Sequence, residues 1–380
     1  MSEKTTQWIE IDPCDTLFFK GTESMVAGEN HEARTMFPPM PTTLTGAIRT
    51  ALLAQHGITP KHYRDNPEQC QQLCPQLGKA EKPGFSITGP LLLLNATVLY
   101  PAPAHWMANI DDPKEDGAEI NVQAGKPLAT RHLDTSEQQG DESRASAAKT
   151  VPGLQTKTNQ PGLCGSVARP FWIMRPVAET MKPLTGYWVT APCFAELASG
   201  KGTLVLRNNL QNLAGATAEL IPAPALFQRE ERVGIALNRN RTVKDGHLYA
   251  TQHVRLSAGV KLLVAMVSEH PCALADTGIL QLGGEQRMCT YRLVSAPELP
   301  ERKTGQYYYT LSPLPYADLP DTLQGRPRAS GKLLRIGGWD MQKGFHKPLS
   351  AWFPAGTVIT KNQQDNQQDS GQFLTACITI

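Results

Sequence analysis

Three turns bearing glycines or basic side chains hold the residues best suited to chemistry in this chain, and that chemistry is anion binding. In Leu282-Gly-Gly-Glu-Gln-Arg287, Gly283 and Gly284 can adopt positive φ and leave their N–H groups open, a shape suited to phosphate. Arg287 then supplies charge. The plainer use of the same glycines is a Schellman stop for a short helix at Pro271–Leu282. Arg239-Asn-Arg241 lies in the connection between strand-like runs Arg232–Leu237 and His247–Leu256, with Lys244-Asp-Gly246 as a turn signal. Its guanidiniums could meet a phosphate backbone or stack on a base. The plainer reading is a solvated hairpin tip. In Ile336-Gly-Gly-Trp-Asp340, Gly337 and Gly338 permit close approach, Trp339 can stack, and Lys343 and Lys347 can meet phosphates. The alternative is a bulge and tight turn with Trp339 in the core.

Bond-changing chemistry has weaker candidates. His31 and His56 lie nearest the first predicted helix, and neither sits beside an obvious Lys, Tyr or Ser partner. No Gly-x-Ser-x-Gly, Walker-type or His-Glu-x-x-His motif occurs. Asp12, Asp15, Glu29 and Glu32 show no metal-ligand spacing, and Asp12 and Asp15 flank Pro13, as in a turn. Cys70-x-x-x-Cys74 is the one close cysteine pair, without a second pair at zinc spacing. No catalytic set, metal or cofactor is therefore expected, and the cysteines read as reduced thiols of a cytoplasmic protein.

The elements that must position these turns begin with Met36–His56, MFPPMPTTLTGAIRTALLAQH. Its prolines hold the chain extended, and Thr42 or Thr43 can cap a helix. Leu44, Ala47, Ile48, Ala51 and Leu52 then form one buried stripe. Arg49 falls off the stripe, and Gly46 permits close approach to the first turn, so this helix start is a further anion-site candidate. Trp8–Phe19 reads as a strand broken at Pro13, and a strand-then-helix opening fits a ferredoxin-like unit. Phe85–Tyr100, Gly186–Val189, Gly259–Val267 and Met288–Val294 are strand-like. Gln306–Leu311, Leu333–Ile336, Ala355–Thr360 and Phe373–Ile380 supply strands near the end.

The wording of four blocks resembles the RAMP proteins of CRISPR effector complexes. They are Met36–His56, Arg232–Tyr249, Leu282–Arg287, and Ile336–Leu349 together with Pro354-Ala-Gly-Thr-Val358. Taken together they look most like the Cmr-three family. That resemblance implies an α+β fold of tandem ferredoxin-like (RRM-like) units. Residues 1–59 and 231–297 would form the first. Residues 60–230 would be an insertion with a mobile loop at about 111–162, and 298–380 a second, smaller unit. It also implies a non-catalytic RNA-binding subunit of a type III-B complex that caps the 5′ repeat-derived handle of the guide RNA. The partners would be the guide RNA, a large polymerase/cyclase-type subunit and an adjacent backbone RAMP subunit. Arg49, Arg239, Arg241, Gly283, Gly284, Arg287, Gly337, Gly338 and Lys343 would border the RNA, and Arg232–Tyr249 would be a thumb-like hairpin. The rivals are a metal-independent endoribonuclease using His31 or His56, the cap subunit of another type III complex, and a loop-rich α/β enzyme.

Composition suits a local RNA surface and suits most enzymes equally. Lys plus Arg number 37 against 35 Asp plus Glu, so any basic patch is offset by acidic surface elsewhere. No apolar run is long enough to span a membrane.

Overall fold

The computed structural model describes residues 4–21, 32–79, 82–110, 115–127, 171–172, 181–271, 273–301, 305–337, 339–340, 345–362 and 377–380. Strand β1 (Thr5–Pro13) is followed by helix α1 (Pro41–Gln55), whose predicted stripe is the one that is buried. Leu44, Ile48 and Leu52 are fully buried against Ile9 and Ile11 of β1. Each such side chain contributes about 1.5–3 kcal/mol of transfer free energy. The helix starts at Pro41 with Met40 as N-cap, not at a threonine cap. Proline supplies the first-turn φ and lacks an N–H that would need a partner. The Thr45 hydroxyl instead donates back to the Pro41 carbonyl at 2.8 Å.

Five strands form the half of the sheet beneath α1. Besides β1 they are β2 (Phe85–Leu94), β5 (Val260–Ser268), β6 (Thr277–Gln281) and β7 (Met288–Val294), in the order β6-β7-β1-β5-β2 with antiparallel neighbours. Two expectations change here. The helix predicted near Pro271–Leu282 is instead the edge strand β6, because Gly278 lets the ring of its cross-strand partner Tyr291 lie over the backbone. A Cβ at Gly278 would stand 2.6 Å from the Tyr291 hydroxyl. Strand β2 lies within the predicted insertion at 60–230, yet it pairs along its whole length with β5. That segment is thus part of the central sheet.

The sheet continues from β2 through Thr97–Pro101, Tyr187–Thr190, Glu219–Pro222, Lys201–Leu206, Glu119–Ala124, Trp106–Ala108 and Lys182–Pro183 to twelve strands. Residues Glu119–Ala124 form a strand inside the predicted loop at 111–162, most of which lies outside the described residues.

The face of the sheet opposite α1 carries Trp8, Leu91, Leu93 and Leu263, which pack with Tyr309, Leu311 and Val358 of the C-terminal segment. The Ser312 hydroxyl donates to the Gly89 carbonyl at 2.8 Å, and the Ala104 N–H donates to the Gly356 carbonyl at 2.9 Å. Among the described residues this segment is built of three small sheets, of four, three and two strands. Its only helices among the described residues are single turns, Tyr316–Asp318 and Asp321–Gln324. The helices that a second ferredoxin-like unit needs are not among them.

Strands β3 (Phe227–Leu237) and β4 (Val243–Leu256) form a long hairpin outside the main sheet. Its turn is Asn238–Thr242, so the Lys244-Asp245-Gly246 run lies within β4 and is not the tip. The hairpin is tied to the body by the paired backbones of Leu17 and Val254.

Candidate functional site

The hairpin turn is closed by its own polar atoms. The Asn238 N–H donates to the Thr242 carbonyl at 2.8 Å, the Arg241 N–H donates to Asn238 at 2.9 Å, and Arg241 sits at φ 62°. Asparagine and the short polar residues around it satisfy the backbone locally. Arg239 and Arg241 are thereby held out into solvent. Among the described residues no ion pair or side-chain hydrogen bond engages either guanidinium. The same hairpin exposes Val233 (70%) and Ile235 (46%) on one face, Tyr249 (41%) on the other, and Val243 (56%) near the turn, apolar side chains that an isolated surface hairpin does not need.

At the hairpin base lies a charge network that the sequence reading missed. The β3–β4 register pairs Gln228 with Arg255, Glu230 with His253 and Arg232 with Thr251, so these polar side chains share one face. They meet Asp15 and Thr16 after β1 and the Glu285–Arg287 turn between β6 and β7. Asp15 Oδ1 lies 3.0 Å from Arg255 Nη2, and its Oδ2 lies 3.2 Å from Arg287 Nη1 and 3.8 Å from Arg232 Nη2. Glu230 pairs with both Arg255 and Arg232, and Glu285 Oε2 with Arg287 Nη2 at 2.8 Å. The Thr16 N–H holds the Asp15 carboxyl below the usual carboxylate range; burial opposes it, and Arg255 and Arg232 add to the lowering.

His253 is the buried keystone. Its side chain is wholly enclosed and stacks on Phe18, with ring centroids 5.2 Å apart. Burial pushes its pKa down, opposed by Glu285, so the imidazole is neutral at neutral pH. The Arg232 guanidinium donates to Thr16 Oγ1 at 2.9 Å, which leaves the Thr16 hydroxyl proton for His253 Nδ1 at 3.3 Å. Nε2 then carries the proton and faces Glu285 Oε2 at 3.4 Å. The signal that could have revealed this network is the period-2 spacing of polar residues in Gln228-Arg-Glu-Glu-Arg232 and Thr251-Gln-His-Val-Arg255.

The glycine turn takes a different form from the predicted helix stop or open anion cradle. It closes the β6–β7 hairpin. The Leu282 N–H donates to the Arg287 carbonyl at 2.8 Å, and the Gly284 N–H donates to the Phe18 carbonyl at 2.8 Å. Gly283 sits at φ 85°, where a Cβ would stand 2.4 Å from that carbonyl oxygen. Both glycines thus pack against Phe18, and the Gly284 donor is used within the fold. Glu285 and Gln286 are also left-handed, at φ 55° and 52°, which aims the Glu285 carboxylate back at Arg287 and His253.

The other predicted residues lie elsewhere. Arg49 is partly buried, donates to the Lys79 carbonyl at 3.1 Å and covers the Tyr63 ring, whereas Arg287 turns to Asp15 and Glu285. Gly46 is exposed, and a Cβ there would meet no atom within 4 Å. Gly337 is partly buried next to strand Leu334–Ile336, while Gly338, Lys343 and His31 lie outside the described residues. The Trp339–Asp340 backbone pairs with Phe345–His346. His56 caps α1, its Nδ1 2.8 Å from the Leu52 carbonyl. Cys70 and Cys74 are buried in the core beneath α1. Among the described residues no three His, Cys, Asp or Glu side chains could jointly hold a metal, and no helix is long and apolar enough to cross a membrane.

The chain is similar to several solved structures. One is of the type III-B Cmr-beta bound to cognate target RNA and AMPPnP, with 15% identity, TM-score 0.48, and 93% of this chain and 86% of that chain covered. Another is of the Cmr-beta bound to cognate target RNA, at 15% identity and TM-score 0.46, covering 95% and 90%. A third is of a Csm3-Csm4 subcomplex of the type III-A interference complex, at 10% identity and TM-score 0.40, covering 94% and 92%. A comparison with curated proteins gave no match. The family model for CRISPR-associated protein (Cas_Cmr3) matches residues 9–374, nearly the whole sequence. The chain belongs to the Cas_Cmr3 family of CRISPR-associated proteins.

Proposed function

We propose that this chain is the non-catalytic RNA-binding subunit that caps the 5′ repeat-derived handle of the guide RNA in a type III-B effector complex. It docks the large polymerase/cyclase-type subunit on one side and the first backbone RAMP subunit on the other. The observation that carries the reading is the β3–β4 hairpin. It holds two exposed arginines at its tip and exposed apolar side chains on both faces along its length. Arginines at a tip neutralise phosphates and stack on bases, and apolar side chains pack against splayed, unstacked bases. The strand order Met288–Val294, Thr5–Pro13, Val260–Ser268, Phe85–Leu94 beneath α1 supports a ferredoxin-like plan for the first unit, with β6 in place of the second helix. RNA contact by Arg49, Gly283, Gly284, Arg287, Gly337, Gly338 and Lys343 remains part of this proposal, with Arg239 and Arg241 as its strongest members.

The test is co-expression with a repeat-containing transcript. The purified chain should retain short RNA of uniform 5′ end, and replacing Asn238–Thr242 with a two-residue turn should abolish retention without lowering Tm. Equal retention after that replacement would refute the assignment of the hairpin. The isolated protein should leave repeat RNA intact with and without divalent metal. Cleavage lost on His31→Ala or His56→Ala would establish the endoribonuclease instead.

A further inference from the structure

The three arginines at the hairpin base converge on a single carboxylate. Arg232, Arg255 and Arg287 come from β3, from β4 and from the β6–β7 turn, and all three reach Asp15. We propose that these guanidiniums form a phosphodiester-binding site in which Asp15 is a built-in competing anion that RNA displaces. The proposal rests on the RNA-binding reading above and names residues and a gating step within it.

Asp15 is redundant for positioning the arginines. Arg255 is held by Glu230, Arg287 by Glu285, and Arg232 by Glu230 and the Thr16 hydroxyl. With Asp15 removed, each guanidinium keeps a partner and its place. Nor does stability require the carboxylate. Asp15 and Arg255 are about half exposed, and ion pairs of that exposure are worth little. What Asp15 does occupy is the point where the forks of Arg255 and Arg287 meet, one on each carboxylate oxygen, at 3.0 and 3.2 Å. Two oxygens bridging two guanidiniums is also the geometry of a phosphodiester on paired arginines.

The charges balance as the structure stands, with Asp15, Glu230 and Glu285 against Arg232, Arg255 and Arg287. A lone anion therefore gains little by entering. An RNA strand engaged at the hairpin tip and running down β3, about 20 Å or more to the base at 3.3 Å per residue, presents phosphates several nucleotides along at high local concentration and can displace the Asp15 side chain. The carboxylate thus selects polyvalent RNA over free phosphate.

The experiment measures binding of a fluorescein-labelled single-stranded repeat RNA to the full chain across a salt series. It uses wild type, Asp15→Asn, Arg255→Gln and Glu230→Gln, with Tm recorded on the same samples. Asp15→Asn should bind about 5-fold more tightly, the effect of one unit charge at a partly exposed site, and its log K against log salt should steepen by about 0.7. Arg255→Gln should bind about 5-fold more weakly, with a slope shallower by about 0.7. Glu230→Gln, which unmasks Arg232 and Arg255 from the other side, should also tighten binding, and it decides the matter if Asp15→Asn does not fold. A folded Asp15→Asn chain with unchanged or weaker binding overturns the proposal. So does Asp15→Asn binding inorganic phosphate as tightly as RNA, which would assign the site to a free anion. Absence of RNA binding by wild type would instead refute the proposed function itself.

Discussion

Replacing Gly283 by alanine should destabilise the fold by about 2–5 kcal/mol. Alanine at φ 85° carries a left-handed penalty of about 1–2 kcal/mol. Its Cβ would also stand 2.4 Å from the Phe18 carbonyl oxygen and 3.0 Å from the Phe19 ring. That oxygen is backbone and already accepts the Gly284 N–H, so it cannot swing aside as a side-chain tip would. Overpacking of this kind adds about 1–3 kcal/mol. The comparison is Gly46→Ala in α1, where φ is ordinary and a Cβ meets nothing within 4 Å. There the change should stabilise by about 0.5–1 kcal/mol through the unfolded chain. Urea unfolding followed by tryptophan fluorescence, with Tm as a second readout, measures both variants against wild type. The signs should be opposite. A Gly283→Ala chain within about 0.5 kcal/mol of wild type would refute the close approach of this turn to Phe18, since no named cost would then be present.

Arg239→Ala with Arg241→Ala should leave Tm unchanged and reduce the salt dependence of RNA binding by about 1.4 in slope, because two phosphate contacts are lost and no internal contact is. Equal salt slopes would exclude phosphate contact by the tip. Glu219→Ala should cost about 3–5 kcal/mol in denaturant unfolding. This fully buried carboxylate accepts from Arg207 Nε at 2.7 Å and from the Gly215 N–H at 2.9 Å, and its loss strips a partly buried guanidinium and a backbone donor of their acceptor. A cost below about 1 kcal/mol would contradict that. Burial pushes the pKa of His105 down to about 3. The unfolded chain takes up a proton near pH 6.5 that the native state refuses. Stability should therefore fall as pH drops from about 6.5 towards 3, by up to about 1.4 kcal/mol per pH unit. His105→Gln should flatten this slope between pH 6.5 and 5, and an unaltered slope would show that His105 is not its source.

The amino-acid order alone determined those features that depend on local periodicity. The α1 stripe, the strands around Ile9 and Val264, and the paired runs of the β3–β4 hairpin all follow from apolar spacing, which is a property of neighbours along the chain. So does the placement of Arg239 and Arg241 in a polar turn, because Asn238 and Thr242 close it with their own atoms. The family wording of the four glycine- and proline-rich blocks was legible for the same reason, and the match over residues 9–374 accords with it. Tertiary structure decided what depended on pairing across long separations. Ala-Leu-Ala-Asp-Thr-Gly-Ile-Leu280 reads as a short helix until β7 offers Tyr291 to lie over Gly278 and supplies a full ladder of partners, after which the strand satisfies more backbone groups. Strand β2 belongs to the first half of the sheet only because β5, some 170 residues later, pairs with it. The Asp15 network is the extreme case. Its members come from residue 15, the two hairpin strands and the 285–287 turn, and no local window contains more than a few of them. Charged side chains carry no periodic signal of their partners, since Coulomb attraction acts between whichever groups the backbone brings within a few ångströms.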